Sequence, residues 1–270
     1  EIKQTYIYSR MGFFTVLLVL ISKLNKSKVL IDNTEWFTIF QIPGFLNKIS
    51  EFIHRFLSIR LADKYYAIGL NIRDILLRKY PRKEVEVIYP CPPKKIIKTI
   101  NNIKKEKKYF NNQIENKDKT IFYSGSFKES DDPHFFLDAL ISLSKEISFN
   151  FIVVSESLFK NNINFSLAKK ITKLKKELGN KKFLLYGYLN DEEFFKIINL
   201  SNILLLPKSE YGPSKYNQPM RLAEFAQFDK PILTTKIDEN YKSNYSNIFT
   251  YECNQSSSFK LQLKNLILYK

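Results

Sequence analysis

Hydrophobic positions along this chain come in short runs of three to six, separated by longer stretches with helical spacing. Thr5–Tyr8, Val29–Ile31, Tyr65–Ile68 and Val85–Ile88 read as strands. Between them, Met11 to Leu24 reads as a buried helix. Phe45 to Leu61 reads as a helix with Phe45, Ile49, Phe52, Ile53, Phe56 and Leu57 on one stripe, and Asn71 to Lys79 as another helix. Pro90-Cys91-Pro92-Pro93 cannot continue a central strand. A second series begins at Thr120–Gly125 and continues with strands at Phe149–Val154, Phe183–Gly187, Ile203–Pro207 and Pro231–Thr235, with a short one at Ile248–Thr250. Helices are expected from Pro133 to Lys145, from Leu167 to Leu178 with Gly179 as the stop, from Asp191, from Pro219, and from Ser256 to Leu268. Short apolar strands alternating with helices predict parallel α/β sheets, here in two halves.

The densest chemical signal lies in Pro219-Met220-Arg221-Leu222-Ala223-Glu224. Proline suits a first helical position, where its missing N–H loses nothing. Arg221 and Glu224 are three apart and share a helix face. A positive helix end with a cation and a carboxylate together suits a sugar nucleotide, with phosphates at the tip and ribose hydroxyls on the carboxylate. The same residues also read as an ordinary i,i+3 ion pair on a surface helix.

Composition narrows the field. The 270 residues are 44% hydrophobic and 15% aromatic, enough for a sizeable core. A net charge of +16 points to anionic partners: phosphorylated substrates, acidic lipid surfaces or nucleic acid. It also follows in part from a composition rich in Lys, Asn and Ile together. The 94–118 stretch, dense in Lys and Asn, reads as a solvated basic linker with a short helix, and no aromatic–basic RNA motif accompanies it. Cys91 and Cys253 have no CxxC spacing, which excludes a disulfide scaffold or a zinc ribbon. His54 and His134 cannot build a His-based metal site without carboxylates. The apolar run from Gly12 to Ile21 is too short to span a bilayer. The chain opens on Glu1 beside a strand-like segment, so an N-terminal portion is expected to be missing.

From Thr120 to Asp238 the order of segments resembles the donor-binding half of GT-B glycosyltransferases of family 4. The likeness rests on Ile121–Gly125, Leu185-Tyr186-Gly187-Tyr188-Leu189 with Glu192 and Glu193, Ser201–Pro207, Pro219–Phe225 and Asp229–Thr235. Residues 5–93 look like the later part of the acceptor-binding half, with Asp32–Phe37 and the Tyr89-Pro90 strand exit resembling bacterial surface-polysaccharide members. The resemblance implies two Rossmann-like domains facing a cleft, the first incomplete. It divides the chain into an acceptor-side domain over 1–93, the linker over 94–118, a nucleotide-sugar domain over 119–255 and a closing helix over 256–270.

The resemblance also implies an activity: sugar transfer from a nucleoside diphosphate donor, with retention, to a glycan or polyprenyl-phosphate-linked acceptor in surface-polysaccharide or lipopolysaccharide synthesis. No metal or other cofactor is expected. The location expected is cytoplasmic, with peripheral contact at the inner membrane face, and no nucleic acid is expected as partner. Glu224 would bind the ribose, Arg221 with Pro219 and Leu222 would sit by the diphosphate, and Gly125 and Ser126 would approach the phosphates closely. Gly187 and Tyr188 would lie near the base. Asp32 and Glu35 are acceptor-side candidates, and they read equally as loop residues.

The pattern also departs from the family. Many members carry two glutamates at a fixed spacing; Tyr216 stands at the first place, and Glu210 lies upstream as the other catalytic candidate. The arginine and lysine that often follow the first glycine turn are replaced by Ser126 and by Asp131-Asp132, so Lys128 or Lys215 would have to substitute. Ser155-Glu156-Ser157 stands at the usual second glycine turn. These departures leave room for a non-catalytic relative, a GT-B-like scaffold or partner subunit, and the piece is expected to be inactive alone.

Overall fold

The computed structural model describes residues 3–9, 13–33, 42, 44–105, 118–209, 219–236 and 245–269. The chain divides into two units, residues 1–90 with 211–219 and residues 91–210 with 220–270.

In the first unit, β1 (Gln4–Ser9), β2 (Lys28–Asn33), β3 (Lys64–Ala67) and β4 (Glu84–Val87) form a parallel sheet in sequence order. Period-2 alternation sorts its faces. Ile7, Val29, Ile31, Tyr65 and Ala67 are buried on one face, with Val19 of α1 (Phe13–Leu24) and Ile72 and Leu76 of α4 (Leu70–Lys79). The other face is polar. Tyr6 donates its hydroxyl to Asp32 at 2.6 Å, and Lys64 reaches both Glu84 and Glu86 at 2.7 Å.

Two helices depart from the sequence reading. α1 was expected to be buried, yet Phe13, Phe14, Leu17, Leu18, Leu20, Ile21 and Leu24 are exposed, and only Thr15, Val16, Val19 and Ser22 turn inward. The expected 45–61 helix is α2 (Phe45–Ile53), a five-residue π-helical turn (His54–Ser58) and α3 (Ile59–Leu61). Its apolar stripe faces out, with Phe45, Ile49, Phe52 and Phe56 exposed. Its polar side faces in: Glu51, His54, Arg55 and Ser58 are buried. That inversion is tolerated because most of the inward polar atoms find partners, Glu51 Oε2 being an exception among the described residues. Glu51 Oε1 pairs with Arg55 Nε at 2.5 Å, His54 Nδ1 lies 3.1 Å from Ser58 Oγ, and Tyr80 donates to the Arg55 carbonyl at 3.0 Å. Burial, with Arg55 beside it, pushes the His54 imidazole down to about 4, so it stays neutral. Periodicity shows that a helix has an apolar side; it does not show which way that side turns.

The second unit is doubly wound. Its sheet, all parallel, comprises β5 (Thr120–Ser124), β6 (Asn150–Val154), β7 (Phe183–Tyr186), β8 (Ile203–Leu206), β9 (Ile232–Thr235) and β10 (Ile248–Tyr251), in the order β10-β9-β8-β5-β6-β7. Both faces are covered, which is why β5, β6 and β8 read as largely apolar runs. On one face Ile121, Tyr123, Phe151 and Leu205 pack with α6 (Pro133–Ser144), α8 (Phe165–Leu178) and the closing helix α11 (Ser256–Leu268), through Phe136, Leu140, Leu174 and Phe259. On the other face Phe122, Ile152 and Leu204 pack with α9 (Asp191–Leu200) and α10 (Met220–Phe225), through Phe195, Ile198 and Phe225. α5 (Lys94–Lys105) falls within the stretch read as a solvated linker, and it joins this second face through Ile100 and Ile103. Lys104 ties it down further by bonding Asp229 at 2.6 Å.

Local rules set the helix ends. Asn164 caps α8, and Gly179 at φ +81° ends it. Asn190 and Glu193 form a reciprocal capping box on α9. A four-residue helix, α7 (Glu156–Phe159), capped by Ser155, follows β6 where the sequence was read as a turn.

Candidate functional site

Because every strand of the second unit runs the same way, the loops after all six open on one edge of the sheet. The chain leaves β5, winds outward through β6 and β7, and returns to β8 on the other side of β5. The β5/β8 boundary is therefore the topological switch point, outside which open α/β sheets bind ligands.

The loop after β5 begins at Gly125, whose N–H donates to Val154 O at 3.2 Å. Close approach was expected here to serve phosphates. The structure supplies a reason inside the protein. A Cβ at Gly125 would lie 2.2 Å from the Tyr123 hydroxyl and 2.9 Å from Asp131 Oδ2. Ser126 is half-buried and Lys128 is exposed. A 3-10 turn (Glu129–Asp131) follows, and Asp132 at φ +46° leads into Pro133 at the start of α6. His134, the second residue of α6, is half-buried, and its carbonyl accepts from Lys170 at 3.3 Å.

Asp131 is the buried centre of this loop. The Tyr123 hydroxyl donates to its Oδ2 at 3.2 Å, and Lys208, two residues past the end of β8, reaches its Oδ1 at 2.7 Å. Burial and the Asp131 charge push the Tyr123 phenol up, which keeps it a donor. Lys208 is held by its backbone from two sides. Its N–H donates to Thr235 Oγ1 at 2.8 Å, that hydroxyl lies 2.7 Å from the Lys208 carbonyl, and the next N–H, of Ser209, donates to Ser130 O at 2.9 Å. Thr235 in turn meets the buried Tyr251 hydroxyl at 3.0 Å. The strand exits of β5, β8, β9 and β10 are thus tied into one polar cluster. Sequence reasoning passed over Lys208. The available signal was a lysine directly after the proline that ends a fully apolar strand.

The second cluster belongs to α10 and α9. α10 starts at Met220 and is only six residues long, with Pro219 directly before it. Arg221 Nη1 pairs with Glu224 Oε2 at 2.9 Å, and its guanidinium lies 4.4 Å from the centre of the Phe194 ring of α9. Leu222 is buried and anchors the helix in the core. Glu224 is 16% exposed. Burial raises its carboxyl pKa, Arg221 opposes that, and Asp191 at the start of α9 adds to it. A partly desolvated carboxylate on a short rigid helix is a strong acceptor for a pair of neighbouring hydroxyls. Asp191 closes the loop after β7, which starts at Gly187, so the structure brings α10 to the loop where Tyr188 stands 83% exposed. Gly187 is also crowded from within, since a Cβ there would lie 2.9 Å from the Phe159 ring.

In the first unit Asp32 lies in β2, where it accepts from Tyr6. Glu35, Trp36, Glu210, Lys215 and Tyr216 lie outside the described residues. Cys91 is exposed, Cys253 is half-buried, and neither is in a disulfide. Among the described residues no group of three or more His, Cys, Asp or Glu is placed to hold a metal ion, and no helix is long and apolar enough to cross a membrane.

No family model and no curated protein matches the sequence. Solved structures do match the fold. A glycosyltransferase from Rickettsia africae superposes with a TM-score of 0.68 at 16% identity, over 98% of this chain and 66% of that one. HepE from Anabaena in complex with UDP gives 0.70 at 14% identity, over 97% and 68%. A UDP-forming trehalose-phosphate synthase from Burkholderia xenovorans gives 0.70 at 8% identity, over 98% and 66%. The chain thus has the two-sheet α/β architecture of GT-B glycosyltransferases and spans about two thirds of their length.

Proposed function

We propose that this chain is the donor-binding part, with some of the acceptor side, of a glycosyltransferase. In this reading it moves a sugar from a nucleoside diphosphate to a glycan or lipid-linked acceptor, with retention, in surface-polysaccharide or lipopolysaccharide synthesis. The observation that carries the reading is the half-buried Arg221–Glu224 pair beside the loop after β7, in a sheet of dinucleotide-binding strand order. Neighbours of the same fold that hold UDP, or UDP with glucose, support that nucleotide as the first probe.

Glu224 accepts from the ribose hydroxyls, and Tyr188 stands by the base. The bond from the anomeric carbon to the β-phosphate oxygen breaks, and its electron pair stays on the diphosphate. The acceptor oxygen bonds the same carbon, and its proton passes to the leaving phosphate. Negative charge grows on the diphosphate as this happens, and positioned cations stabilise it. The exposed apolar side chains of α1 and α2, on a chain of charge +16, support peripheral contact with an anionic membrane at the cytoplasmic face.

Calorimetric titration with UDP, 2′-deoxy-UDP and UDP-sugars tests the reading. The wild-type protein should bind UDP more tightly than its deoxy analogue, and Glu224→Ala should abolish that preference and weaken UDP at least tenfold. Absence of binding to uridine, adenosine and guanosine diphosphates and their sugars alike, or a Glu224→Ala variant with unchanged affinity, would refute it.

A further inference from the structure

We infer that Lys208 is a diphosphate-contacting cation of this site, supplied from the exit of β8; the inference rests on the nucleotide-binding reading above.

Four observations lead there. Lys208 emerges at the boundary between β8 and β5, the switch point at whose outer edge a doubly wound sheet takes its ligand. The loop facing it, Gly125 to Asp132, contains the exposed Lys128 and three carboxylates: Glu129, Asp131 and Asp132. Without a cation from elsewhere, that loop would repel a phosphate. Lys208 supplies one: its ammonium sits at 2.7 Å on the buried Asp131 and cancels that carboxylate's charge before any ligand arrives.

The ammonium also has capacity left. It carries three N–H donors, and among the described residues one acceptor, Asp131 Oδ1, meets it. The Lys208 side chain keeps 19% of its surface open while Asp131 keeps 8%, so the lysine is the member of the pair that an incoming anion can reach. Its placement is rigid. Thr235 and Ser130 hold the backbone on either side, and Asp131 holds the tip, itself fixed by Tyr123. A cation that needs no rearrangement to meet a developing charge is what transition-state stabilisation requires. A purely structural bridge would need the Asp131 contact alone. A binding role adds a reason for that bridge to stand at the ligand edge of the sheet.

The test compares UDP with uridine, which lacks the phosphates. Lys208→Met should weaken UDP at least tenfold, leave uridine affinity within twofold, and flatten the salt dependence of UDP binding. Lys208→Arg should restore UDP binding to within a few-fold, and Lys173→Met, at an exposed position of α8, should change nothing. Should Lys208→Met fail to fold because Asp131 loses its partner, the double variant Asp131→Asn/Lys208→Met removes both charges and should show the same selective loss of UDP. Equal losses for UDP and uridine, or no loss in either variant, would overturn the inference while leaving the nucleotide-binding reading intact. Wild-type protein that binds neither UDP nor any other nucleoside diphosphate would overturn both.

Discussion

Gly125→Ala separates a glycine kept for a ligand from a glycine kept for the fold. Its φ is not in the left-handed region, so alanine adds no backbone strain, and the cost comes from contact alone. The new methyl would lie 2.2 Å from the Tyr123 hydroxyl and 2.7 Å from its Cζ. Tyr123 cannot swing away. It is 1% exposed, and its ring packs at 4.9 Å centroid distance on both Phe127 and Phe136. Relief means shifting the β5 exit or breaking the Tyr123–Asp131 bond. Overpacking of this kind costs about 1–3 kcal/mol, and losing a buried hydrogen bond adds about 1, giving about 2–4 kcal/mol in all. Urea unfolding monitored by circular dichroism should show this loss in the transition of the second unit. In a Tyr123→Phe background the hydroxyl is gone, so Gly125→Ala should cost less there by about 1 kcal/mol. An equal cost in both backgrounds would refute the steric argument. So would a stability change below about 0.5 kcal/mol accompanied by loss of UDP binding.

Three further outcomes are expected. His54 has a folded pKa of about 4 against an ordinary 6.5, so its contribution is fully present above pH 6.5 and is lost as pH falls from 6.5 toward 4. The wild-type protein should therefore lose up to about 3 kcal/mol more than His54→Gln between pH 7 and pH 4, read from paired urea melts. Parallel curves would sink that account. Ile100→Ala should cost about 2–4 kcal/mol in the second unit's transition, because Ile100 is fully buried against that core; a surface-like change below about 0.5 would show that α5 is undocked. Gly179→Ala meets open space yet takes an L-residue to φ +81°, so it should cost about 1–3 kcal/mol by strain alone, measured by the same melts.

Period and punctuation carried much of this architecture. The apolar runs at 120–125, 149–154 and 203–207 are strands because a sheet covered on both faces needs no polar alternation. Gly179 and the Asn190–Glu193 box end and begin helices by backbone rules that act within a few residues. The pairing of Arg221 with Glu224 was equally local, a consequence of three-residue spacing on a helix.

What the sequence left undecided depends on packing between distant segments. Nothing within Phe45–Leu61 shows that Glu51 and Arg55 turn inward while Phe45 and Phe52 turn out, because a helical pattern defines a side and not its neighbour. Nothing around Lys208 shows that it meets Asp131, which lies 77 residues earlier; only the return of β8 to the flank of β5 brings them together. Gly125 was read as a close approach to phosphates and Gly187 as a residue near the base; their crowding within the protein, by Tyr123 with Asp131 and by the Phe159 ring, comes from side chains that the folded chain places there. Local spacing settles elements and their ends, since those energies act within a turn or two. Facing, charge pairing across strands and the crowding at a glycine belong to contacts between segments far apart in the chain, which only the folded sheet defines.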